Sequence, residues 1–325
     1  MKNICISTET KEELKEIEKI LSDISAPYQI YQKTKKSKNR TLNKILETLS
    51  FIKFLHQQGI DTVFGAPTLR NRIAHIFFKK KYINYLRALH PAPELATSLS
   101  DQIYFLGKKF KLESRLLNPY EATLCLTNSY ITESFLKERD IDKNRIVNIG
   151  AVFLEGTPFL KNDDSKPRVV FITQAYAEHK HPDADKEQQE VIRHILKITK
   201  KEDLKLIIRK HPRDNTDYDE VLKDLSEDYK INTDFPDVFI STLSIKDIAI
   251  SPFSTMAFEL QSRDLRTIFI NMHSMPSYDS AFKKNGIIST DWKKIESFSL
   301  PPLYIQNKVF SRYNPSQLAS KLKSL

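Results

Sequence analysis

Strand-length apolar runs alternate with amphipathic stretches of helical length along most of the 325 residues, and this alternation limits the fold more than any other feature. Parallel β-sheets require such a pattern, because each connection between parallel strands is long and usually contains a helix. In residues 11–22, for example, Leu14, Ile17 and Leu21 fall on one face of a predicted helix. The sequence therefore predicts an α/β protein.

Two blocks of this alternation are separated by a segment without periodicity. Between Gly150 and Pro167 the chain is rich in turn-forming and polar residues, which is the composition of a linker. A last helix is predicted over 315–325, and the sequence does not show which domain it packs against. We therefore predict two Rossmann-like domains facing a cleft: an N-terminal domain at 1–150, a linker at 151–167 and a C-terminal domain at 168–325. The predicted strands are 3–7, 28–31, 62–64, 82–86, 123–127, 146–149, 169–173, 205–209, 248–250 and 267–270.

Positive charge is concentrated in the N-terminal half. Residues 1–160 carry 25 Lys and Arg against 17 Asp and Glu, whereas the remaining residues carry 26 against 24. Dense basic clusters stand at Lys33–Arg40, Lys79–Lys81 and Lys108–Lys111, and such clusters attract phosphates, anionic lipid head groups or acidic glycans. Solvated loops in a basic protein explain the same pattern equally well.

Several function classes are disfavoured by what the sequence lacks. No apolar run approaches the ~20 residues of a membrane-spanning helix, and the N-terminus has neither the apolar core nor the cleavage site of a signal peptide. The two cysteines, Cys5 and Cys125, lie in predicted strands without metal-ligand spacing. Neither a GxGxxG nor a GxxxxGK[ST] motif occurs, which argues against dinucleotide dehydrogenases and P-loop NTPases. We therefore expect a cytoplasmic protein.

The first segment with residues suited to binding or catalysis is Leu204–Asp214, LKLIIRKHPRD, where a strand carries Arg209, Lys210, His211, Pro212 and Arg213 at its carboxyl end. Ligands of open α/β sheets bind at this edge. Cations beside a titratable imidazole can hold phosphate oxygens, and the histidine can donate a proton to a leaving phosphate. A simple His-Pro turn is the alternative.

In the second segment, DIAISPFSTMAFELQSR, a strand ends in Ser-Pro-Phe-Ser-Thr, which contains Ser251, Ser254 and Thr255, and a helix then begins with Glu259 in an early turn. Backbone N–H groups at a helix N-terminus form an anion site together with nearby hydroxyls. Ser254 can instead act only as a helix cap, and Glu259 as a surface or capping carboxylate. Both segments are predicted at the same edge of one sheet, so the cations of one would face the hydroxyls of the other.

The order strand-HP, then strand-S-x-x-[ST][ST]-x-x-x-E, resembles GT-B glycosyltransferases that build bacterial surface glycans. These include the bacterial sialyltransferase and polysialyltransferase families (families 52 and 38) and the Kdo transferases of capsule export. The resemblance implies that His211-Pro212 is the HP motif and Ser254-Thr255 the S-[ST] motif, which hold the CMP part of the donor in the sialyltransferases. It also implies that Glu259 contacts the nucleotide. The segment 123–150 resembles the strand-helix-strand unit that leads into the interdomain linker of these enzymes.

One motif of those sialyltransferases is missing from this chain. Their N-terminal domain carries a [DE]-[DE]-G motif whose carboxylate is the general base, and no such tripeptide occurs in 1–149. The candidates for the base at predicted strand ends are His90, Glu94 and Asp101, although each residue is more often structural.

The loop after the first strand of the C-terminal domain, 174–181, adds Gln174 as a further donor-binding candidate. His179 and His181 in this loop could contact the donor or the acceptor, but a polar exposed loop explains them as well. The run H-K-H-P-D is compatible with a metal site. We nevertheless expect no metal and no cofactor, since GT-B enzymes generally hold the donor phosphates with side chains and a helix dipole.

We predict an inverting transfer in which an acceptor hydroxyl, deprotonated by a base of the N-terminal domain, attacks the anomeric carbon. His211 and the anion site would stabilise the leaving nucleotide phosphate. By resemblance, the favoured nucleotide-sugar donor is CMP-sialic acid or CMP-Kdo, with a UDP-sugar next. The acceptor would be an oligosaccharide or a lipid-linked glycan of a capsule or lipooligosaccharide. The basic N-terminal half would allow peripheral contact with the inner face of the membrane.

Other functions stay open within the same fold: a UDP-sugar-dependent transferase, a sugar-nucleotide epimerase and a polyol-phosphate transferase. A non-enzymatic nucleic-acid-binding protein is the alternative from a different class. It is disfavoured because the aromatic residues are not interleaved with the basic clusters. We therefore expect no nucleic-acid partner.

Overall fold

The computed structural model describes residues 3–8, 10–31, 40–86, 118, 120–155, 160–161, 166–225, 228–275, 282–298 and 309–324. The chain divides into two compact units, which we call unit 1 (Met1–Glu155 with Ser311–Leu325) and unit 2 (Gly156–Phe310). In each unit the described residues form a parallel six-stranded sheet with helices. The predicted fold class, α/β with two Rossmann-like domains, is confirmed.

Unit 1 has the strand order β2-β1-β3-β4-β5-β6, and all neighbouring strands are parallel. Apolar side chains cover both faces of this sheet, with Ile6 and Phe64 in one core cluster and Cys5 and Val63 in the other. Its strands are β1 (Ile4–Ser7), β2 (Tyr28–Ile30), β3 (Thr62–Gly65), β4 (Lys81–Leu86), β5 (Leu124–Thr127) and β6 (Ile146–Asn148). Its first helices are α1 (Lys11–Asp23), α2 (Arg40–Gln57), α3 (Leu69–Phe77) and α4 (Tyr130–Glu138).

Three helices of unit 1 begin at side-chain caps. Thr10, Thr68 and Ser129 precede α1, α3 and α4, and each side-chain oxygen accepts a hydrogen bond from the backbone N–H three residues later. Such a bond satisfies a backbone donor that has no partner inside the helix. These helices therefore begin where the sequence provides a Ser or Thr cap.

Unit 2 has the strand order β12-β11-β10-β7-β8-β9, again with parallel neighbours. The chain runs from β7 through β8 to β9 on one side and then returns to β10 on the other, so the strand order reverses between β7 and β10. Its strands are β7 (Arg168–Ile172), β8 (Lys205–Arg209), β9 (Tyr229–Asn232), β10 (Ile248–Ser251), β11 (Arg266–Asn271) and β12 (Ser289–Asp291). Its helices include α5 (Pro182–Lys201), α6 (Tyr218–Leu222), α7 (Pro236–Ser241) and α8 (Thr255–Ser262).

The last helix, α9 (Ser316–Ser324), belongs to unit 1, although the predicted C-terminal domain, 168–325, included it. Leu318 of α9 is fully buried in a core cluster of unit 1. The chain leading to α9 is tied to the same unit, since the Ala151 N–H donates to the Ser311 carbonyl at 3.0 Å. A short amphipathic helix encodes an apolar face but not the surface that covers it, and for this reason the sequence left its position open.

Candidate functional site

The predicted site residues of unit 2 follow three neighbouring strands. Gln174 follows β7, His211 follows β8 and Ser254 follows β10, while β7 pairs in parallel with both β8 and β10. These residues therefore share the carboxyl edge of one sheet. The edge includes the reversal of strand order between β7 and β10, and open α/β sheets bind ligands at such a point.

The backbone around His211 forms a closed turn. The N–H of Asp214 donates to the His211 carbonyl at 2.9 Å, so Pro212 occupies the second position of a four-residue turn, where its fixed φ angle is favourable. The N–H of His211 donates to the Thr173 hydroxyl at 2.9 Å. The sequence allowed a simple His-Pro turn, and such a turn is present. It holds the histidine at the carboxyl edge.

The His211 ring is oriented by its own loop. Its Nδ1 atom accepts a hydrogen bond from the Arg213 backbone N–H at 3.1 Å. A ring nitrogen that accepts a hydrogen bond carries no proton, so the neutral ring carries its proton on Nε2. The His211 N–H donates to the Thr173 hydroxyl and its carbonyl accepts from the Asp214 N–H, which leaves the Nε2–H as the donor that His211 can offer to a ligand.

The charge state of His211 agrees with this tautomer. Burial lowers the pKa of His211 below its ordinary value, and His179, Arg213 and Arg209 lower it further by electrostatic repulsion, whereas Asp214 opposes the effect. The ordinary value is ~6.5, so the ring is neutral at pH 7. It can therefore donate a hydrogen bond to a phosphate, but it does not carry the extra proton of an imidazolium acid.

The cations predicted at the end of β8 differ in their contacts. The Lys210 ammonium donates to the Thr216 carbonyl at 2.7 Å and lies 5.8 Å from the centre of the Tyr218 ring. Arg209 is buried and donates to the Asp234 carbonyl at 2.5 Å. Both side chains thus stabilise loops. The exposed Arg213 side chain forms no hydrogen bond or ion pair within the described residues, so this guanidinium is the better placed of the predicted cations to contact an anion.

The hydroxyls around α8 also differ from one another. Ser251 is fully buried and its hydroxyl donates to the Ile172 carbonyl at 3.3 Å, which links β10 to β7. Ser254 precedes α8, yet its side chain makes no capping hydrogen bond, in contrast to the three capped helices of unit 1. Thr255 is exposed in the first turn. The N-terminus of α8 therefore lacks a side-chain cap, and the simple capping role considered for Ser254 is not observed.

Glu259 forms an ion pair inside unit 2. Its carboxylate lies 3.0 Å from the guanidinium of Arg263, the C-cap residue directly after α8, and both side chains are largely buried, with 14% and 9% exposure. Glu259 is thus neither a surface carboxylate nor a cap. A ligand that approaches it would meet a carboxylate whose charge is already compensated.

The sequence did not single out several polar residues beneath this edge. Thr173 directly follows β7, Asp214 closes the His211 turn, and Gln188 of α5 bonds to both backbone polar groups of Gln174, at 2.8 and 3.0 Å. For Thr173 the available signal was a polar residue directly after an apolar strand, and for Asp214 it was an acidic residue at the end of the segment 204–214. No pattern in the sequence indicated Gln188, which is one residue of a long amphipathic helix.

Several predicted residues lie outside the described residues: His90, Glu94, Asp101 and the basic clusters 33–39 and 108–111. Among the residues that the structure does describe, no group of three or more His, Cys, Asp and Glu side chains is arranged to hold a metal ion.

Comparisons with known proteins establish the fold. No protein-family model matches this chain, and no curated protein matches it. A putative UDP-N-acetylglucosamine 2-epimerase from Listeria monocytogenes is similar with a TM-score of 0.66 and 12% identity, over 99% of this chain and 95% of that chain. A UDP-GlcNAc 2-epimerase from Neisseria meningitidis bound to UDP-GlcNAc gives 0.61 and 12%, over 100% and 99%. Anabaena HepE in complex with UDP and glucose gives 0.52 and 12%, over 100% of both chains. The chain therefore has the two-domain GT-B fold that these structures share.

Proposed function

We propose that this chain is an enzyme that acts on a nucleotide sugar and breaks the bond between the anomeric carbon and the nucleotide phosphate. The observation that carries the proposal is the His211 ring, which is held by its own loop with Nδ1 occupied and Nε2–H left to donate. It lies at the same sheet edge as the uncapped N-terminus of α8. Hydrogen-bond donors of this kind suit a phosphate group.

The chemistry of such a site follows from where charge develops. When the anomeric C–O bond breaks, its electron pair stays on the phosphate oxygen. The His211 Nε2–H, the first N–H groups of α8 and the Ser254 hydroxyl would donate to the phosphate, and Arg213 would add a positive charge. Donors that are already in position stabilise the developing charge without rearrangement during the reaction.

The comparisons support a UDP-linked sugar over a CMP-linked one. The solved structures that are similar to this chain include complexes with UDP-GlcNAc and with UDP and glucose. CMP-sialic acid and CMP-Kdo, which the HP and S-[ST] motifs favoured by resemblance, have no such support and enter the test as further donors.

Two reactions share the proposed bond cleavage. Epimerisation of UDP-GlcNAc at C2 is the first to test, since several of the similar structures are 2-epimerases. In this reaction a base would remove the C2 proton as the C1–O bond breaks, and the UDP oxygen and a proton would then add back, the proton on the opposite face of C2. Glycosyl transfer to an oligosaccharide or lipid-linked glycan is the second, favoured by the two motifs and by likeness to a glycotransferase of kitacinnamycin, with a TM-score of 0.57 and 9% identity. For transfer, His90 and Glu94 are our proposed candidates for the general base.

Ligand binding and product analysis test the proposal in sequence. A thermal-shift screen of UDP, CMP, GDP, CDP and their sugars should reveal the donor, because a ligand at 100 times its Kd stabilises a fold by ~2.7 kcal/mol. NMR of UDP-GlcNAc with the enzyme alone then separates the two reactions: an epimer forms without an acceptor only in the first. If no nucleotide or nucleotide sugar at millimolar concentration shifts the Tm, the proposal is wrong.

We further propose that the basic residues of the N-terminal half recruit an anionic acceptor or the inner face of a membrane. The charge excess in residues 1–160 supports this. Among the residues that the structure describes, no helix is long and apolar enough to cross a membrane.

A further inference from the structure

We propose that Asp214 is a positioning residue that fixes His211 and the loop at Gln174 relative to one another. It acts through Thr173 on one side and through Tyr218 on the other. The inference rests on the role proposed for His211 and assigns the groups that keep its ring in place.

The Asp214 carboxylate is buried, with 5% exposure, and both of its oxygens accept hydrogen bonds. Its Oδ2 atom accepts from the Thr173 hydroxyl at 2.7 Å and from the Tyr218 hydroxyl at 2.8 Å. Its Oδ1 atom accepts from the Thr216 backbone N–H at 3.0 Å. A buried carboxylate without such donors would be strongly unfavourable, so these contacts hold it in one position.

The charge of Asp214 decides the direction of the Thr173 hydroxyl. A carboxylate only accepts hydrogen bonds, so the single Thr173 proton points to Asp214 and a lone pair remains for the His211 N–H, at 2.9 Å. The Asp214 N–H also donates to the His211 carbonyl at 2.9 Å. The peptide groups on both sides of the His211 side chain are therefore held by Asp214, directly and through Thr173.

A second chain of hydrogen bonds runs from Asp214 through Tyr218 and Gln188 to the loop after β7. The Tyr218 hydroxyl donates to Asp214 and accepts from the Gln188 carboxamide at 3.1 Å. The same carboxamide accepts from the Gln174 N–H at 2.8 Å and donates to the Gln174 carbonyl at 3.0 Å. One buried carboxylate thus connects the two loops that carry predicted site residues, and connected buried networks of this kind fix geometry closely.

Asp247 provides a matched control in the same sheet. It is fully buried, immediately before β10 at the opposite, amino edge. Its carboxylate accepts from the backbone N–H groups of Arg168 and Ser244, both at 2.9 Å, and pairs with the Arg168 guanidinium at 2.6 Å. Asp247 accepts four hydrogen bonds, against three for the Asp214 carboxylate, but none of its partners is a predicted site residue. Asp247→Asn therefore measures what the loss of a buried carboxylate does to the fold alone.

The first readout is turnover of the nucleotide sugar found in the donor screen. Asp214→Asn and Thr173→Val should lower kcat by ~10- to 100-fold, the range expected when a reacting group is displaced by about 1 Å, while KM changes by less than about 3-fold. Thr173→Ser keeps the hydroxyl and should restore most of kcat. Asp247→Asn should lower the Tm about as much as Asp214→Asn and leave kcat near the wild-type value.

The second readout does not depend on activity. ¹⁵N NMR of the His211 imidazole, assigned by its absence in His211→Gln, should show the Nε2–H tautomer in the wild type. Asp214→Asn and Thr173→Val should shift the ring toward a mixture of tautomers, whereas Thr173→Ser and Asp247→Asn should not. If Asp214→Asn does not fold, the nearly isosteric Thr173→Val decides the question.

The inference is overturned if the His211 resonances of Thr173→Val match the wild type, or if Asp214→Asn loses no more turnover than Asp247→Asn. If the wild type acts on no nucleotide sugar, the proposed function fails, and the NMR comparison still decides whether Asp214 positions the ring.

Discussion

Two substitutions of His211 separate the two hydrogen bonds of its ring. Asparagine keeps an acceptor at the place of Nδ1 and can still accept from the Arg213 N–H, as in an Asx-turn, but it is too short to replace Nε2–H. Glutamine offers an amide N–H near the place of Nε2 and gives up the hydrogen bond that Nδ1 accepts from the Arg213 N–H. Loss of one donor to a developing oxyanion lowers kcat by ~10²- to 10³-fold, or about 2.7–4 kcal/mol. We therefore expect His211→Asn and His211→Ala to lose turnover in that range, and His211→Gln to lose distinctly less.

The Tm values of the His211 variants should follow a different order from their kcat values. The Arg213 N–H belongs to an exposed residue, so water can replace the ring nitrogen, and the loss of one such bond costs about 0.5–1.5 kcal/mol. His211→Asn should therefore unfold close to the wild-type Tm, while His211→Ala and His211→Gln unfold slightly below it. Urea or thermal unfolding beside steady-state kinetics measures both quantities on the same preparations.

The pH profile distinguishes a neutral donor from an imidazolium acid. Because the pKa of His211 in the folded protein is below its ordinary value of ~6.5, the neutral ring predominates above that pH. We therefore expect the titration of His211 to leave kcat/KM unchanged above about pH 6.5 and to lower it as the pH drops through the lower folded pKa. The contribution of His211 to stability should follow the same direction, since the unfolded chain binds the extra proton first. An imidazolium acid would instead give a rate that declines as the pH rises through its pKa. Our reasoning would be refuted if the wild type showed this decline and His211→Gln did not.

Three further predictions address other parts of the chain. Ser254→Ala combined with Thr255→Ala should raise the Kd for the nucleotide more than it lowers kcat, and it should barely change the Tm because no capping bond is lost. An effect on acceptor kinetics alone would contradict the placement of these hydroxyls at the nucleotide. Leu318→Ala should reduce the free energy of unfolding by about 2–5 kcal/mol, because the side chain is fully buried in unit 1. A denaturant titration measures this, and an unchanged midpoint would contradict the packing of Leu318 in unit 1. Three basic residues outside the described part of the chain, Lys35, Lys36 and Lys38, can be replaced by glutamine. The variant should use an acidic acceptor less well at low salt and bind the nucleotide as before, and its difference from the wild type should shrink as added salt screens the charge. Equal acceptor kinetics at low salt would exclude recruitment by these residues.

Central strands were predictable because their sequences are apolar on both faces. Strand β8 has the predicted bounds, 205–209, and four of its five residues are buried. Strands β9 (229–232) and β12 (289–291) were not predicted. They lie at the two edges of the unit 2 sheet and are only partly buried, so their sequences lack the continuous apolar run that identified the central strands.

The position of the candidate site was predictable, but the contacts of its side chains were not. A strand ending in His-Pro and a strand ending in Ser-Pro-Phe-Ser-Thr indicated one sheet edge, since the carboxyl ends of parallel strands lie together. The sequence could not show that the Lys210 ammonium turns back to the Thr216 carbonyl, or that Ser251 bonds across to β7. Side-chain direction depends on partners that only the folded chain brings within reach.

The Asp214 carboxylate does not accept a hydrogen bond from the His211 ring, and this distinguishes the pair from a histidine whose ring N–H bonds to a carboxylate. A carboxylate that accepts from a ring N–H stabilises the imidazolium, as in catalytic triads. Here Asp214 bonds to the Thr173 hydroxyl and, through its own N–H, to the His211 carbonyl, while the ring Nδ1 accepts from the Arg213 N–H. The loop therefore holds the ring without favouring its charged form. Under the proposed function, a neutral donor would bond more strongly as negative charge develops on the leaving oxygen, so this arrangement would favour the transition state over the bound substrate.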